Sequence, residues 1–218
     1  MECTSEKQTA PEMAEAKAPD PTREAPPEPP VSYEEFLDWA DEDVRAEWID
    51  GEIHIMAPAS STHQRIALFL SSLVSLWVEQ RRDGEVFPPP FQMKLERGRE
   101  PDLLVVREEH RDRIQESYLE GPADLVVEIV SSESAARDRG EKFSEYEGGG
   151  VEEYWIIDPI REQLEVYHLE DGRYRGTFLG REGRADSLVL EGFWVEAEWF
   201  WEESLPRVMD AASELGIV

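Results

Sequence analysis

The chain has 218 residues, a net charge of −28 and a single cysteine, Cys3. That length suits one folded domain plus a tail, and one cysteine excludes an internal disulfide framework or a thiolate metal centre. No apolar run is long enough to span a membrane, and the N-terminus lacks the apolar core of a secretory signal, so the chain reads as soluble and cytoplasmic, with no membrane partner.

Residues 1–30 are rich in Pro, Glu and Ala and nearly devoid of large apolar side chains. They are expected to form a disordered acidic tail, with residues 31–218 as a single domain. Order is expected from Val31. Ser32 and Glu35 have the spacing of a capping box and Val31 and Phe36 that of a hydrophobic staple, which predicts a helix from Tyr33 to about Ala40. "EWIDGEIHIM" alternates around Asp50-Gly51 and predicts a hairpin. From Ser61 to Arg82, apolar residues at Ile66, Leu68, Phe69, Leu73, Leu76 and Trp77 follow a helical period. Residues Val86 to Glu96 read as an extended run broken by three prolines, so its first part is an edge or a bend.

"DLLVV" (Asp102 to Val106) and "DLVVEIV" (Asp124 to Val130) are continuous apolar runs, which suit central strands covered on both faces. A helix is expected from Ser134 to about Glu147, closed by Gly148, Gly149 and Gly150 as C-cap and turn. These glycines follow a helix rather than open one, so they are not a phosphate-cradling loop. "EEYWIID" and "QLEVYHL" predict paired strands across Asp158-Pro159. Short strands are expected at Tyr174 to Leu179 and Ser187 to Leu190, and "FWVEAEWFW" is expected to pack on the sheet. The result is an α/β chain: a mixed β-sheet flanked by helices.

Three residues carry chemistry. Glu128 lies inside "DLVVEIV", where a charge is costly unless paired or bound to metal. The alternatives are a buried ion pair with an arginine or a functional carboxylate. Asp102 opens the preceding strand; alone it fits a turn residue, but with Glu128 it places two carboxylates at neighbouring strand ends. Mg²⁺ takes one or two protein carboxylates and keeps several waters. A cation so held polarises a phosphoryl oxygen and acidifies water. Lys142 shares a helical spacing with Asp138 and Tyr146. An Asp-Lys surface pair is the plainer account. Against it, lysine occurs only at 7, 17, 94 and 142, and arginine supplies the other cations. Arginine serves equally well in a surface pair but not as a tunable proton donor or acceptor. No Gly-x-Ser-x-Gly elbow supports a serine nucleophile, His54, His110 and His168 stand without a constellation, and the tryptophans are assigned to core and rim.

Taken in order, "EWIDGE", the "PD" at Pro101-Asp102, "VVEIV", "RDRGEKFSEY" and "EYWIIDP" resemble the Uma-type family of predicted restriction endonucleases, in the PD-(D/E)XK nuclease superfamily. The resemblance spans about Val31 to Leu205. It implies a restriction-endonuclease-like fold and a Mg²⁺- or Mn²⁺-dependent site cleaving nucleic acid, DNA first among the candidates. Asp102 and Glu128 then match the metal-holding acids, with the Ile129 carbonyl as a further ligand. The chain departs from the superfamily pattern at Val130, where a lysine is expected; Lys142 stands in for it as the group that orients or deprotonates water, or stabilises charge on the phosphate. Glu47 matches a further acid that touches a second metal, or else is a surface acid of the first strand. His63 matches a recurrent position at the start of the long helix, and Asp138 and Tyr146 are expected as supports. Arg137, Arg139, Lys94, Arg97 and Arg99 are expected to form a local positive rim. The net charge of −28 favours a rival reading: a non-catalytic interaction or regulatory protein that keeps the fold. A DNA mimic is a third reading, and the aromatic C-terminal segment leaves a homodimer open.

Overall fold

The structure is a computed structural model and describes residues 25–40, 44–131 and 134–218. The first 24 residues of the expected tail lie outside it. Helix α1 (Tyr33–Trp39) starts as the sequence predicts: Ser32 Oγ accepts from Glu35 N–H, and Glu35 accepts from Ser32 N–H at 2.8 Å. Strands β1 (Ala46–Ile49) and β2 (Glu52–Ile55) form the hairpin. Asp50 and Gly51 both have positive φ, +52° and +86°, the backbone a two-residue turn needs to match strand twist. Helix α2 (Ser61–Arg81) follows, capped by Ser60.

The extended run after α2 is two strands in two sheets. β3 (Glu85–Phe87) is an edge strand; after Pro88–Pro90 the chain re-enters as β4 (Gln92–Lys94) in the other sheet. The remaining strands are β5 (Gly98–Arg99), β6 (Leu103–Val106), β7 (Tyr118–Glu120), β8 (Leu125–Ile129), β9 (Glu153–Asp158), β10 (Gln163–Glu170), β11 (Arg173–Gly180), β12 (Arg184–Asp186) and β13 (Trp194–Glu196). Among the described residues they make a six-stranded sheet, β11-β10-β9-β8-β6-β3, a five-stranded sheet, β2-β1-β5-β4-β7, and the pair β12-β13. Each larger sheet contains one parallel pair, β8 with β9 and β4 with β7. The architecture is therefore mixed α/β, with two principal sheets where the sequence suggested one.

The central strands β6, β8 and β9 of the larger sheet are buried on both faces, as their apolar runs require. Leu125, Val127 and Ile129 face α2 residues Phe69, Leu73 and Trp77, and the C-terminal aromatics Phe193, Trp199 and Phe200 close that core. Val126 and Val130 face the other way, against Tyr146, Tyr154 and, from the smaller sheet, Met93 and Leu119. Glu128 lies on this second face, so the carboxylate emerges between the two sheets.

Three expectations change. Ser187–Leu190 is a turn, and the strand lies just upstream as β12; the buried Glu153 carboxylate accepts from Ser187 Oγ and from the N–H groups of Leu188 and Val189, taking bonds a ladder would have used. A short C-terminal helix, α5 (Val208–Glu214), was not anticipated. The expected single helix from Ser134 is two, α3 (Ala135–Asp138) and α4 (Glu141–Gly149), broken at Gly140 (φ −117°, ψ −84°). A Cβ there would meet the Ala136 carbonyl oxygen at 2.8 Å, so only glycine fits without a shift. Gly150, with φ +87°, closes α4 as the C-cap. The break ends α3 before α4 begins, and Lys142, in the first turn of α4, is fully buried. Gly140→Ala is therefore expected to cost about 1–3 kcal/mol through that clash, read as a lower urea midpoint at unchanged slope; an unchanged midpoint would show that the break is not held by this residue.

Candidate active site

Asp102 immediately precedes β6, and its position is set by the ladder. β6 and β8 pair Leu103 with Val127, so Ile129 lies beyond the last rung. Its N–H goes to Asp102 Oδ2 instead, at 2.8 Å. The same oxygen takes a bond from His63 Nε2 at 3.0 Å, and His63 sits in the first turn of α2, where Ser60 Oγ accepts from its backbone N–H. Asp102 Oδ1 has a long contact, 3.4 Å, from Arg45. Burial alone would raise the Asp102 carboxyl; the His63 hydrogen bond and charge and the Ile129 N–H outweigh it and hold the group below its ordinary range.

Glu128 is 3% exposed. Its Oε1 accepts from Lys142 Nζ at 2.7 Å and from Tyr146 Oη at 2.8 Å; its Oε2 takes neither bond. Lys142 is fully buried and also lies 2.9 Å from Glu47 Oε1, with Asp138 looser at 3.9 Å. Glu47 is itself held by Arg99 at 3.0 Å, and Arg99 makes two 2.7 Å bonds to Glu145. The Lys142 ammonium thus ties Glu128 of the larger sheet to Glu47 of the smaller one.

Burial and the nearby cations act differently on each carboxylate around Lys142. Burial pushes Glu128 up to about 8; Lys142 pulls it down, and Asp138, Asp102 and Glu47 push it further up. Burial would raise Glu47 too, but Lys142 and Arg99 bring it down to about 2. Burial likewise raises Asp138. Burial would lower Lys142, yet Glu128, Glu47 and Asp138 hold its ammonium well above the usual range. The cluster lies in a dry setting, where Coulomb interactions are strong.

Asp102, Glu128, Ile129, Lys142, His63, Arg45 and Arg137 line one cavity of about 480 Å³. The structure thus brings together Asp102, Glu128, Lys142, Glu47, Asp138, Tyr146 and His63. The positive rim is smaller than expected, because only Arg137 of the five cations lines this cavity. Arg99 is buried on Glu47 and Glu145; Arg97 pairs with Asp50, Glu141 and Glu145; Arg139 pairs with Asp158 and Glu165; Lys94 lies over the Tyr33 and Trp48 rings. Local acids claim most of these cations. Sequence reasoning also missed Arg45, which bonds Glu100 at 2.6 Å and reaches Asp102. Its only signal was an arginine just before a strand that carries a buried acid.

Among the described residues, no group of three or more His, Cys, Asp or Glu is arranged to hold a metal ion. The side-chain carboxylates that line the cavity are those of Asp102 and Glu128. Two carboxylates in one cavity, with room for water, fit a hard cation of the Mg²⁺ kind, which needs no larger protein cage.

The raised Glu128 has a consequence for stability. An unfolded glutamate ionises near 4.5, whereas the folded one keeps its proton to about 8. Folding thus takes up a proton between these values, and stability falls as pH rises through that window. Glu128→Gln keeps an acceptor for Lys142 and Tyr146 and removes the charge. Without divalent cations it should leave stability near wild type at pH 5 and raise it by roughly 2–4 kcal/mol at pH 8 to 9. Equal effects at both pH values, by chemical denaturation, would contradict this.

The Uma2 family, described as "Putative restriction endonuclease", matches residues 33–198. An uncharacterized Synechocystis protein is 29% identical over 150 residues, covering 66% of this chain and 77% of its own length. A second from the same organism is 28% identical over 127 residues, covering 56% and 71%. In fold, the chain is similar to a protein of Anabaena variabilis described as "a putative nuclease belonging to DUF820". The TM-score is 0.61 at 18% identity, over 85% of this chain and 99% of that one. With residues 33–198 matched, this chain belongs to the Uma2 family.

Proposed function

We propose that the protein hydrolyses phosphodiester bonds in nucleic acid with the help of a divalent cation, Mg²⁺ or Mn²⁺. The observation that carries this reading is the convergence of Asp102, Glu128 and Lys142 on one cavity from two strands and a helix. Family membership supports the nuclease class.

In this reading Asp102 Oδ1, Glu128 Oε2 and the Ile129 carbonyl hold the cation. When bound, it would supply Lewis-acid polarisation of the phosphoryl oxygen and a more acidic water. The chain's own groups do the positioning. His63 and the Ile129 N–H fix the Asp102 carboxylate, and Lys142 and Tyr146 fix Glu128 through Oε1, leaving Oε2 for the cleft. Held protonated by its carboxylates, Lys142 is a donor rather than a base. Of the roles open to it, orienting water and stabilising charge on the phosphate remain. Glu47 secures Lys142 from the other sheet; its engagement with Lys142 and Arg99 leaves it a support, not a ligand to a second metal.

The rival reading, an interaction protein that keeps the fold, is favoured by the charge of −28 and the absence of a three-residue metal cluster among the described residues. Melting with and without Mn²⁺ separates the two. A real site at saturating Mn²⁺ gains about 3 kcal/mol at a hundredfold excess over Kd, or roughly 5–10 °C for a chain this size. Asp102→Ala should abolish the gain; an unshifted wild type favours the rival.

Cleavage of plasmid and single-stranded substrates with Mg²⁺ or Mn²⁺ should disappear with chelator. It should fall at least a hundredfold in Asp102→Ala, Glu128→Ala and Lys142→Met, each checked for fold by circular dichroism. Cleavage that survives Glu128→Ala, or none at any salt, contradicts the proposal.

A further inference from the structure

We propose that a second cavity, beyond the Asp102–His63–Arg45 wall, is a subsite for an unpaired nucleobase, so that the substrate is single-stranded nucleic acid. This inference rests on the phosphodiesterase reading above and names its substrate class.

The two cavities share Arg45, His63 and Asp102 in their linings, so they form two lobes of one cleft with Asp102 at the waist. The first lobe holds the acids. The second, about 420 Å³, is lined by Ala67 and Leu68 of α2 and by Pro88, Pro89 and Pro90, with Gln64 and Ser71 as its polar groups. Its size falls within the range of small-molecule sites, about 300–1,000 Å³. Apart from the waist it contains no charged side chain, which suits a base rather than a phosphate. Leu68 is 69% exposed and offers an apolar surface. Ser71 Oγ donates to the Ala67 carbonyl at 2.7 Å, which leaves its lone pairs free to accept. The exposed Gln64 amide has both a donor and an acceptor to present, and together these groups complement the hydrogen-bonding edge of a base. A single-stranded base offers that edge, and a paired one hides it.

Charge points the same way. A duplex carries one negative charge per about 1.7 Å, and its affinity needs many cations. Of the cations lining the two lobes, Arg45 is committed to Glu100 and Asp102, and Lys142 is buried between Glu128 and Glu47. Arg137 remains, with a buried Nε that has no partner among the described residues. A single guanidinium can grip one or two phosphates, while a chain of charge −28 repels a long, stiff polyanion. A flexible strand with one base seated in the neutral lobe meets both limits.

The test is fluorescence anisotropy on the full chain in Ca²⁺, with a short single-stranded DNA and its duplex as probes. The single strand should bind at least tenfold more tightly than the duplex, with a log–log salt slope of about −0.7 to −1.4 for one or two phosphates. Leu68→Asp should weaken single-strand binding at least tenfold, and Gln64→Ala severalfold. Both positions are exposed, so the fold should persist, and the Mn²⁺ melting shift should stay at its wild-type value. Equal or tighter duplex binding, full affinity in Leu68→Asp, or no binding of either probe would overturn the proposal. The melting shift reports the acid pair alone. Failure of the phosphodiesterase reading therefore shows as a lost shift, and failure of the base subsite as lost discrimination between the probes.

Discussion

A single buried ammonium ties this molecule together. Lys142 lies 2.7 Å from Glu128 and 2.9 Å from Glu47, on different sheets, with no exposed surface to relieve the charge. A buried ion pair repays its desolvation only when geometry is good and remaining lone pairs are satisfied. Much of the surrounding structure supplies that satisfaction. Tyr146 donates to Glu128, Arg99 donates to Glu47, and Glu145 anchors Arg99. Lys142 follows the break at Gly140 in the first turn of α4, and the Gly150 cap ends α4 where β9 must begin. Removing the ammonium would leave two buried carboxylates facing each other across the sheets.

This arrangement holds Glu128 well away from its ordinary ionisation, which supports the proposed site over a structural clamp. A clamp built for stability would match its charges. Here Glu128 is pushed up to about 8 by burial and its acidic neighbours, although Lys142 pulls it down. Groups poised against their own stability are what functional sites tend to contain. The acidic surface outside the cleft is a separate matter. Most of the paired arginines lie on that surface, so in the proposed function the cleft would meet nucleic acid with little help from long-range attraction.

Much of this was legible from residue order. The capping box, the Asp-Gly hairpin, the period of α2 and the apolar strands β6, β8 and β9 are local signals, and the structure follows them. Glu128 could be picked out because a lone acid within a valine run has few bland explanations, and Lys142 because lysine is rare where arginine is abundant. What was missed depends on distant partners. The turn at Ser187–Leu190 looks like a strand until the Glu153 carboxylate, far back in the chain, takes its N–H groups. Arg99 and Arg97 looked like free rim cations because nothing local reveals that Glu47, Glu145 and Asp50 claim them. Arg45 gained meaning only once Glu100 and Asp102 were seen beside it, and the division into two sheets turns on Pro88–Pro90, a break whose direction no local pattern encodes.

The central claim is that the Asp102 and Glu128 carboxylates share one cation. Anomalous diffraction from a crystal soaked in Mn²⁺ tests it most directly. The account predicts a single strong peak in the cleft, about 2.0–2.3 Å from an oxygen of each carboxylate, with Lys142 still bonded to Glu128. A cleft without a peak, or a peak bound by one carboxylate and not the other, would contradict it.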